Sequence, residues 1–130
     1  MFFCDWDCDC CAWLDIRYVP ADAKTVVAKL KRLIPKGFKL EIVALEPSLQ
    51  VAASNPYLRS LKRADEKIRG RPVALYGAQG TSDARHYSRV GCAGVEFGPI
   101  GGGIGTDAEW VDIASLATYH RTLVAFLSSL

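Results

Sequence analysis

In the first half of the chain, the hydrophobic positions follow a two-residue repeat, then the repeat of a helix, and then a two-residue repeat again. Apolar and polar side chains alternate over residues 12–18, which is typical of a half-buried strand. Helical spacing follows, with Asp22 as the predicted N-cap and a stop at Pro35. Residues 38–45 return to alternation, so the pattern predicts a strand-helix-strand unit. Such a unit has too little apolar area to be stable by itself.

The second half predicts helices that alternate with two short strands. In chain order the elements are a helix from Asn55 to Gly70, a strand 73–76, a helix from Thr81 or Ser82 to Gly91, a strand 93–97, a glycine-rich loop 98–106 and a helix from Asp112. This order predicts an α/β fold with alternating strands and helices. The loops after the two strands lie where open α/β sheets bind ligands.

Composition narrows the classes of function. The 130 residues are 50% hydrophobic and carry a net charge of +2, which fits one compact domain or two small coupled pieces. Basic residues are scattered without interleaved aromatics, which argues against nucleic acid as a partner. No apolar run approaches the roughly 18 to 20 residues of a membrane span. Asp5, Asp7 and Asp9 interrupt the start, which therefore lacks the apolar core of a secretory signal, and we expect a cytoplasmic protein.

Most of the cysteines are crowded at the start of the chain. Cys4, Cys8, Cys10 and Cys11 lie within eight positions, and only Cys92 lies beyond them. Thiolates at such density could hold a soft metal ion. The spacing lacks the two-residue gap of a zinc knuckle, however, and no second ligand pair follows. The favoured interpretation is an irregular Cys- and Asp-rich lead-in over residues 1–11.

The loop after residues 73–76 carries the first candidate site, in the sequence GTSDAR. A helix that begins near Thr81 offers free backbone N–H groups to an anion, and Arg85 adds a guanidinium that can bind a carboxylate through two hydrogen bonds. The alternative is that Thr81 or Ser82 caps a helix and Arg85 is a solvated surface residue. Spacing alone favours this alternative, because caps are abundant.

The glycine-rich loop carries the second candidate. Residues 103–108 formally match the dinucleotide-binding fingerprint, but no acidic residue follows Asp112 to contact a ribose. The glycines are better explained by a close approach of the backbone to a ligand or another loop. His86 and His120 have no acidic or thiol partner at obvious spacing, so surface histidines are favoured over catalytic ones.

The two loops together resemble a known family. In order, GTSDAR and EFGPIGGGIGTDAEWVDI, followed by an amphipathic helix, are similar to the C-terminal part of the zinc-dependent amidohydrolase and exopeptidase family that includes succinyl-diaminopimelate desuccinylase, acetylornithine deacetylase, aminoacylase and glutamate carboxypeptidase. The resemblance begins at Ala12. It implies that residues 12–46 are half of the family's lid or dimerisation domain and that residues 47–130 are the end of its α/β catalytic domain. It also implies that Gly80, Thr81 and Arg85 bind the substrate.

The chain departs from this family where the family binds metal. The resemblance places a metal-binding histidine four residues before Glu109, and this chain has Gly105 there, next to Asp107. The other ligands and the catalytic glutamate belong to a portion with no counterpart before Ala12. Zinc is the cofactor of the family. Because these ligands are missing, we expect no zinc bound at the family's site here and no catalytic residue in this chain.

Three functional interpretations follow. The first is the substrate-binding part of a zinc-dependent amide hydrolase or peptidase, acting on N-acyl amino acids or short peptides and inactive as this chain alone. The second is a non-catalytic module for carboxylate binding or dimerisation, and the third is a structural remnant without chemistry. Unpaired strand edges and uncovered apolar faces predict a homo-oligomer or a complementing polypeptide as partner.

Overall fold

A computed structural model describes residues 11–78, 80 and 82–130 of the chain. The chain divides into two compact units, the first ending at Ser48 and the second comprising Leu49–Leu130. The described residues form helices and one small antiparallel sheet, which makes the fold mixed α/β as the sequence predicts. None of the helices in this described part is long and apolar enough to cross a membrane.

The described part of the first unit, residues 11–48, contains one short α-helix. Its helical segments are a 3₁₀ helix Pro20–Asp22 and the α-helix α1, Val26–Leu33. The prediction that Asp22 caps α1 is wrong, because Thr25 occupies the N-cap position and makes no side-chain cap. The Asp22 carboxylate instead accepts a hydrogen bond from Lys29 Nζ at 2.6 Å. Val26 is the buried residue of this helix, at 7% exposure.

The predicted strands do not form. None of the four predicted segments is a strand in the structure: 12–18, 38–45, 73–76 and 93–97. A strand needs a hydrogen-bonded neighbour and a covered face. Trp13 and Leu14, which belong to opposite phases of the first alternation, are 50% and 70% exposed. Phe38 and Tyr76 are likewise exposed at 71% and 87%, so large apolar side chains of these segments are left uncovered.

The two strands found in the described part of the chain lie elsewhere. They are β1, Gly101–Gly102, and β2, Trp110–Val111, which pair antiparallel with Gly101 opposite Val111. Both are only two residues long, and β1 lies inside the predicted glycine loop. The expectation that ligand loops follow parallel strands of an open sheet is therefore not met in the described residues.

Helix α2, Pro56–Arg69, begins and ends where the sequence predicts. The Asn55 side chain accepts hydrogen bonds from the backbone N–H groups of Tyr57 and Leu58 at 3.0 and 3.1 Å. Gly70 closes the helix in the left-handed conformation, with φ of 66°, and its N–H donates to the Glu66 carbonyl. The helix buries Leu58 and also Leu61, two residues of the predicted stripe.

Helix α3, Ile113–Leu127, packs against α2 and also begins as predicted. Asp112 Oδ1 accepts a hydrogen bond from the Ala114 N–H at 2.8 Å, which caps the helix. The contact with α2 is polar at its centre. Thr122 Oγ1 donates to Asp65 Oδ1 at 3.0 Å, and Arg69 Nε lies 2.8 Å from both Asp65 oxygens. Thr122 and Asp65 are almost fully buried, so this network fixes how the two helices meet.

Candidate functional site

The GTSDAR loop leads into a 3₁₀ helix, Asp83–Val90, rather than into an α-helix. Ser82 is its N-cap, and Ser82 Oγ accepts a hydrogen bond from the Ala84 N–H at 3.2 Å. The helix ends at Gly91, which has a positive φ of 76° and donates to the carbonyls of the last turn. The helix therefore begins after Ser82 and ends before Gly91, as the sequence predicts. Its tighter 3₁₀ winding does not follow from the sequence pattern.

Arg85 is held by the turn in which it lies. Its Nη1 donates to the Ser82 carbonyl at 2.9 Å and to Asp83 Oδ1 at 3.2 Å. The Arg85 side chain is only 19% exposed, whereas that of Asp83 is 97% exposed. Arg85 is thus a half-buried, oriented cation rather than the fully solvated surface residue of the alternative interpretation.

One edge of the Arg85 guanidinium is not used by this turn. Its Nε is buried and has no hydrogen-bond partner among the residues that the structure describes. A guanidinium has five donors, and the edge made by Nε and Nη2 can bind both oxygens of one carboxylate. A buried donor without a partner is costly, so an acceptor that reaches Nε would stabilise it. The protein atoms that cover Nε must move for a ligand to do so.

The remaining predicted residues of this loop are less informative. Gly80 is exposed, and a side chain there would meet no atom within 4 Å, so sterics do not require glycine. Thr81 lies outside the described residues. Among the predicted binding residues, Arg85 is therefore the one about which the structure gives the most information.

The glycine-rich loop is a tight turn between β1 and β2. A Cβ atom at Gly101 would lie 2.7 Å from the Trp110 carbonyl oxygen, and one at Gly103 would lie 2.6 Å from the Ala108 carbonyl oxygen. Thr106 closes the turn by donating from N and Oγ1 to the Gly103 carbonyl. The close approach predicted for these glycines is thus made to the strand and turn that follow, and packing within the hairpin accounts for them.

The position of the family's histidine has its own local structure. Gly105 has a positive φ of 77°, and its N–H donates to Glu109 Oε2 at 3.2 Å. Asp107 and Glu109 are both exposed. Glycine offers no ligand atom from its side chain, and one oxygen of Glu109 already accepts from the loop, so this donor set does not fit a zinc ion. Within the described residues, no group of three or more His, Cys, Asp or Glu side chains is placed to hold a metal.

Most of the cysteine cluster lies outside the residues that the structure describes. Cys4, Cys8 and Cys10 lie among the residues that are not described, while Cys11 is half-buried and Cys92 is exposed. The prediction that this segment is an irregular lead-in rather than a metal site therefore remains a prediction.

A feature that the sequence did not indicate is an apolar cavity of about 460 Å³ in the second unit. It lies between the first turns of α2 and residues 91–95, with Phe126 of α3 at one side. Its lining is mostly apolar, and Asn55, which is one of the lining residues, uses its carboxamide oxygen to cap α2. The sequence signal for this cavity is the pair of small residues Gly91 and Gly94, which lie beside α2.

Comparison with known proteins does not add a relative. No protein-family model, no curated protein and no solved structure matches this chain.

Proposed function

We propose that this chain is the substrate-side part of a zinc-dependent amide hydrolase or peptidase of the family that it resembles. It binds the carboxylate of an N-acyl amino acid or short peptide and does not hydrolyse it alone. In this proposal residues 12–46 correspond to part of the lid, and residues 47–130 to the end of the catalytic domain. The observation that carries the proposal is the orientation of Arg85.

The chemistry of Arg85 supports a carboxylate as ligand. Its Nη1 is occupied by Ser82 and Asp83, so the free edge points in a fixed direction. Because the side chain is already held, little conformational entropy is lost when a ligand binds. The Asp83 carboxylate is almost fully exposed and contacts only Nη1 of Arg85, so it does not occupy the Nε edge.

Isothermal titration with an N-acetyl amino acid tests the binding. Arg85→Ala should lower the affinity by on the order of 1.5 to 3 kcal/mol, because it removes a charged hydrogen-bond donor. Arg89→Ala, on the same 3₁₀ helix, makes the same change of charge and should leave the affinity nearly unchanged. Arg85→Lys should lose most of the affinity, because lysine lacks the planar fork. Equal affinity in the wild type and in Arg85→Ala would overturn the proposal.

The lack of hydrolysis follows from the donor set around Gly105. A co-catalytic site needs His and carboxylate ligands that activate water, and Gly105 supplies none. Zinc calorimetry on the chain with all five cysteines changed to serine should therefore show no tight binding. Tight binding in that variant would reveal a metal site elsewhere in the chain and would reopen the assignment of an enzyme.

Complementation separates this proposal from a binding module. The N-terminal part of a family enzyme, added with zinc, should restore hydrolysis of an N-acyl amino acid to the Gly105→His chain but not to the wild type. The structure leaves space for this change, since a Cβ at residue 105 meets nothing within 4 Å. Its positive φ strains a histidine by roughly 1 kcal/mol or more.

A non-catalytic module for association is the second candidate, and the large apolar surface favours it. Residues that are more than half exposed include Tyr57, Tyr76, Ile104 and Ile113. If Gly105→His binds the added part without any hydrolysis, and Arg85→Ala still lowers carboxylate affinity, the module interpretation is the better one.

A further inference from the structure

Helix α3 has its apolar side outward. At 3.6 residues per turn, five residues lie within a sector of about 80°: Ile113, Leu116, His120, Val124 and Leu127. We name this set the α3 stripe. Its four aliphatic side chains are 80%, 41%, 51% and 63% exposed in that order. The opposite side of the helix, which contacts α2, includes the buried residues Ser115 and Thr122. A stable surface helix normally places these two sides the other way round.

The spacing of the α3 stripe matches a second copy of itself. Leu116 and Val124 lie four residues to either side of His120, and Ile113 and Leu127 lie seven residues to either side. We propose that α3 pairs antiparallel with α3 of a second copy of this chain, about a two-fold axis that passes beside His120. Ile113 then faces Leu127 of the other copy, Leu116 faces Val124, and His120 faces His120.

This register follows from two-fold symmetry, because an isologous interface requires each contact to occur twice. The symmetric spacing about His120 meets this requirement. A membrane surface is disfavoured, since Arg121 is the single Lys or Arg in α3, and helices that lie on membranes carry many basic residues. The pairing is independent of the carboxylate binding proposed above.

The size of the stripe sets the expected strength. Its exposed aliphatic area is on the order of 400 Å² per chain, which is the range at which apolar patches mark interaction sites. Doubled by symmetry, this area is about 800 Å², below the roughly 1,200 Å² of stable specific interfaces, so we expect a weak dimer with a dissociation constant no tighter than micromolar. The polar His120 pair at the centre fixes the register and weakens the dimer, as a single polar residue does in a coiled coil.

Sedimentation velocity from about 1 μM to about 1 mM brackets this constant. The wild type should pass from monomer to dimer, and Val124→Glu should weaken the dimer at least tenfold. Arg121→Glu is the matched control on the same helix, outside the stripe, and should dimerise like the wild type. His120→Leu should strengthen the dimer, which keeps the test decisive if a charged variant fails to fold. A wild type that is monomeric throughout, or a His120→Leu chain that is no tighter, would overturn the proposal.

Cysteine crosslinking tests the register. In a chain whose five cysteines are replaced by serine, His120→Cys should form a disulfide-linked dimer under mild oxidation, because the two-fold axis brings the two positions together. Arg121→Cys should crosslink far more slowly. Equal rates for the two variants would contradict the antiparallel register, and no crosslink at His120→Cys at dimer-forming concentration would do the same.

Discussion

Helices α2 and α3 have nearly the same length, 14 and 15 residues, and they pack against each other, yet they bury chemically different sides. Helix α2 turns Leu58 and Leu61 inward, as an amphipathic helix should. Helix α3 turns Ser115 and Thr122 inward and leaves its aliphatic side exposed. The contact between them is specified by a buried polar network rather than by apolar area.

The comparison shows what a hydrophobic stripe does and does not specify. A stripe identifies a side that is stable only when it is covered, but it does not say which chain covers it. In α2 the cover is supplied within the second unit. In α3 the cover is missing within the second unit, and the symmetric spacing around His120 is the basis for assigning it to a second copy.

The largest expected effect is loss of the polar network between the helices. Asp65→Ala removes the acceptor of Thr122 and the ion partner of Arg69, leaving a largely buried guanidinium without its carboxylate. We expect unfolding free energy to fall by about 3 kcal/mol or more, measured by urea denaturation. Asp107→Ala removes an exposed acid and should cost less than about 0.5 kcal/mol. A small effect of Asp65→Ala would mean that the network does not hold the helices.

The next effect contrasts leucines in the two helices. Leu58→Ala removes a side chain that is 6% exposed and should cost about 2 to 4 kcal/mol. Leu116→Ala removes one that is 41% exposed and should cost less than about 1 kcal/mol when the protein is dilute. At concentrations that favour the dimer, the cost of Leu116→Ala should rise. Equal costs in dilute solution would show that α3 is covered within the monomer.

Capping should contribute equally to the two helices. Asn55→Ala and Asp112→Ala each remove a side chain that accepts from the first turn, and each should cost about 1 kcal/mol of unfolding free energy. Asn55→Asp and Asp112→Asn keep a capping oxygen and serve as controls with nearly full stability. A negligible cost at Asp112 alone would indicate that α3 frays at its start.

The smallest effect is a dependence of stability on pH through Glu66 in α2. The hydrogen bond from Lys62 Nζ, the N–H of Val73 and the charge of Lys62 lower the pKa of Glu66 below 4.5. Because the folded state binds the proton less readily than the unfolded state, the ionised carboxylate stabilises the fold above pH 4.5. This contribution disappears as the pH falls through the lowered pKa.

Glu66→Gln tests the sign of that dependence. The variant should be less stable than the wild type at pH 7, and the difference should shrink as urea denaturation is repeated toward pH 3. A difference that grows on acidification would contradict the direction of the shift. Glu96→Gln, an exposed acid outside the helices, provides the control.

Apart from the start of α1, where Asp22 does not cap the helix, the helix ends could be predicted from the sequence because their signals are local. Asn55 with Pro56, Gly70, Ser82, Gly91 and Asp112 act on backbone groups within a few residues, and the structure places each where the sequence predicts. Strands depend on partners that are distant in sequence. The alternation in residues 12–18 therefore predicted a strand that does not form, because its apolar side chains remain exposed.

The candidate site likewise combines features that the sequence predicts with features that it does not predict. The position of Arg85 in the first turn after Ser82 followed from the motif, but the hydrogen bonds that orient its guanidinium depend on the 3₁₀ winding, which the sequence did not indicate. For the glycine loop, the crowding of Gly101 and Gly103 against residues 108–110 depends on a hairpin that periodicity could not reveal.

The most direct test of the account is the solvent exposure of methyl groups, measured by NMR with a soluble paramagnetic agent at low and high protein concentration. The methyls of Leu116, Val124 and Leu127 should broaden in dilute protein and be protected in concentrated protein. Those of Leu58 and Leu61 should be protected at both concentrations. Protection of the three α3 methyls in the most dilute sample would contradict the outward orientation of the α3 stripe and, with it, the proposed pairing.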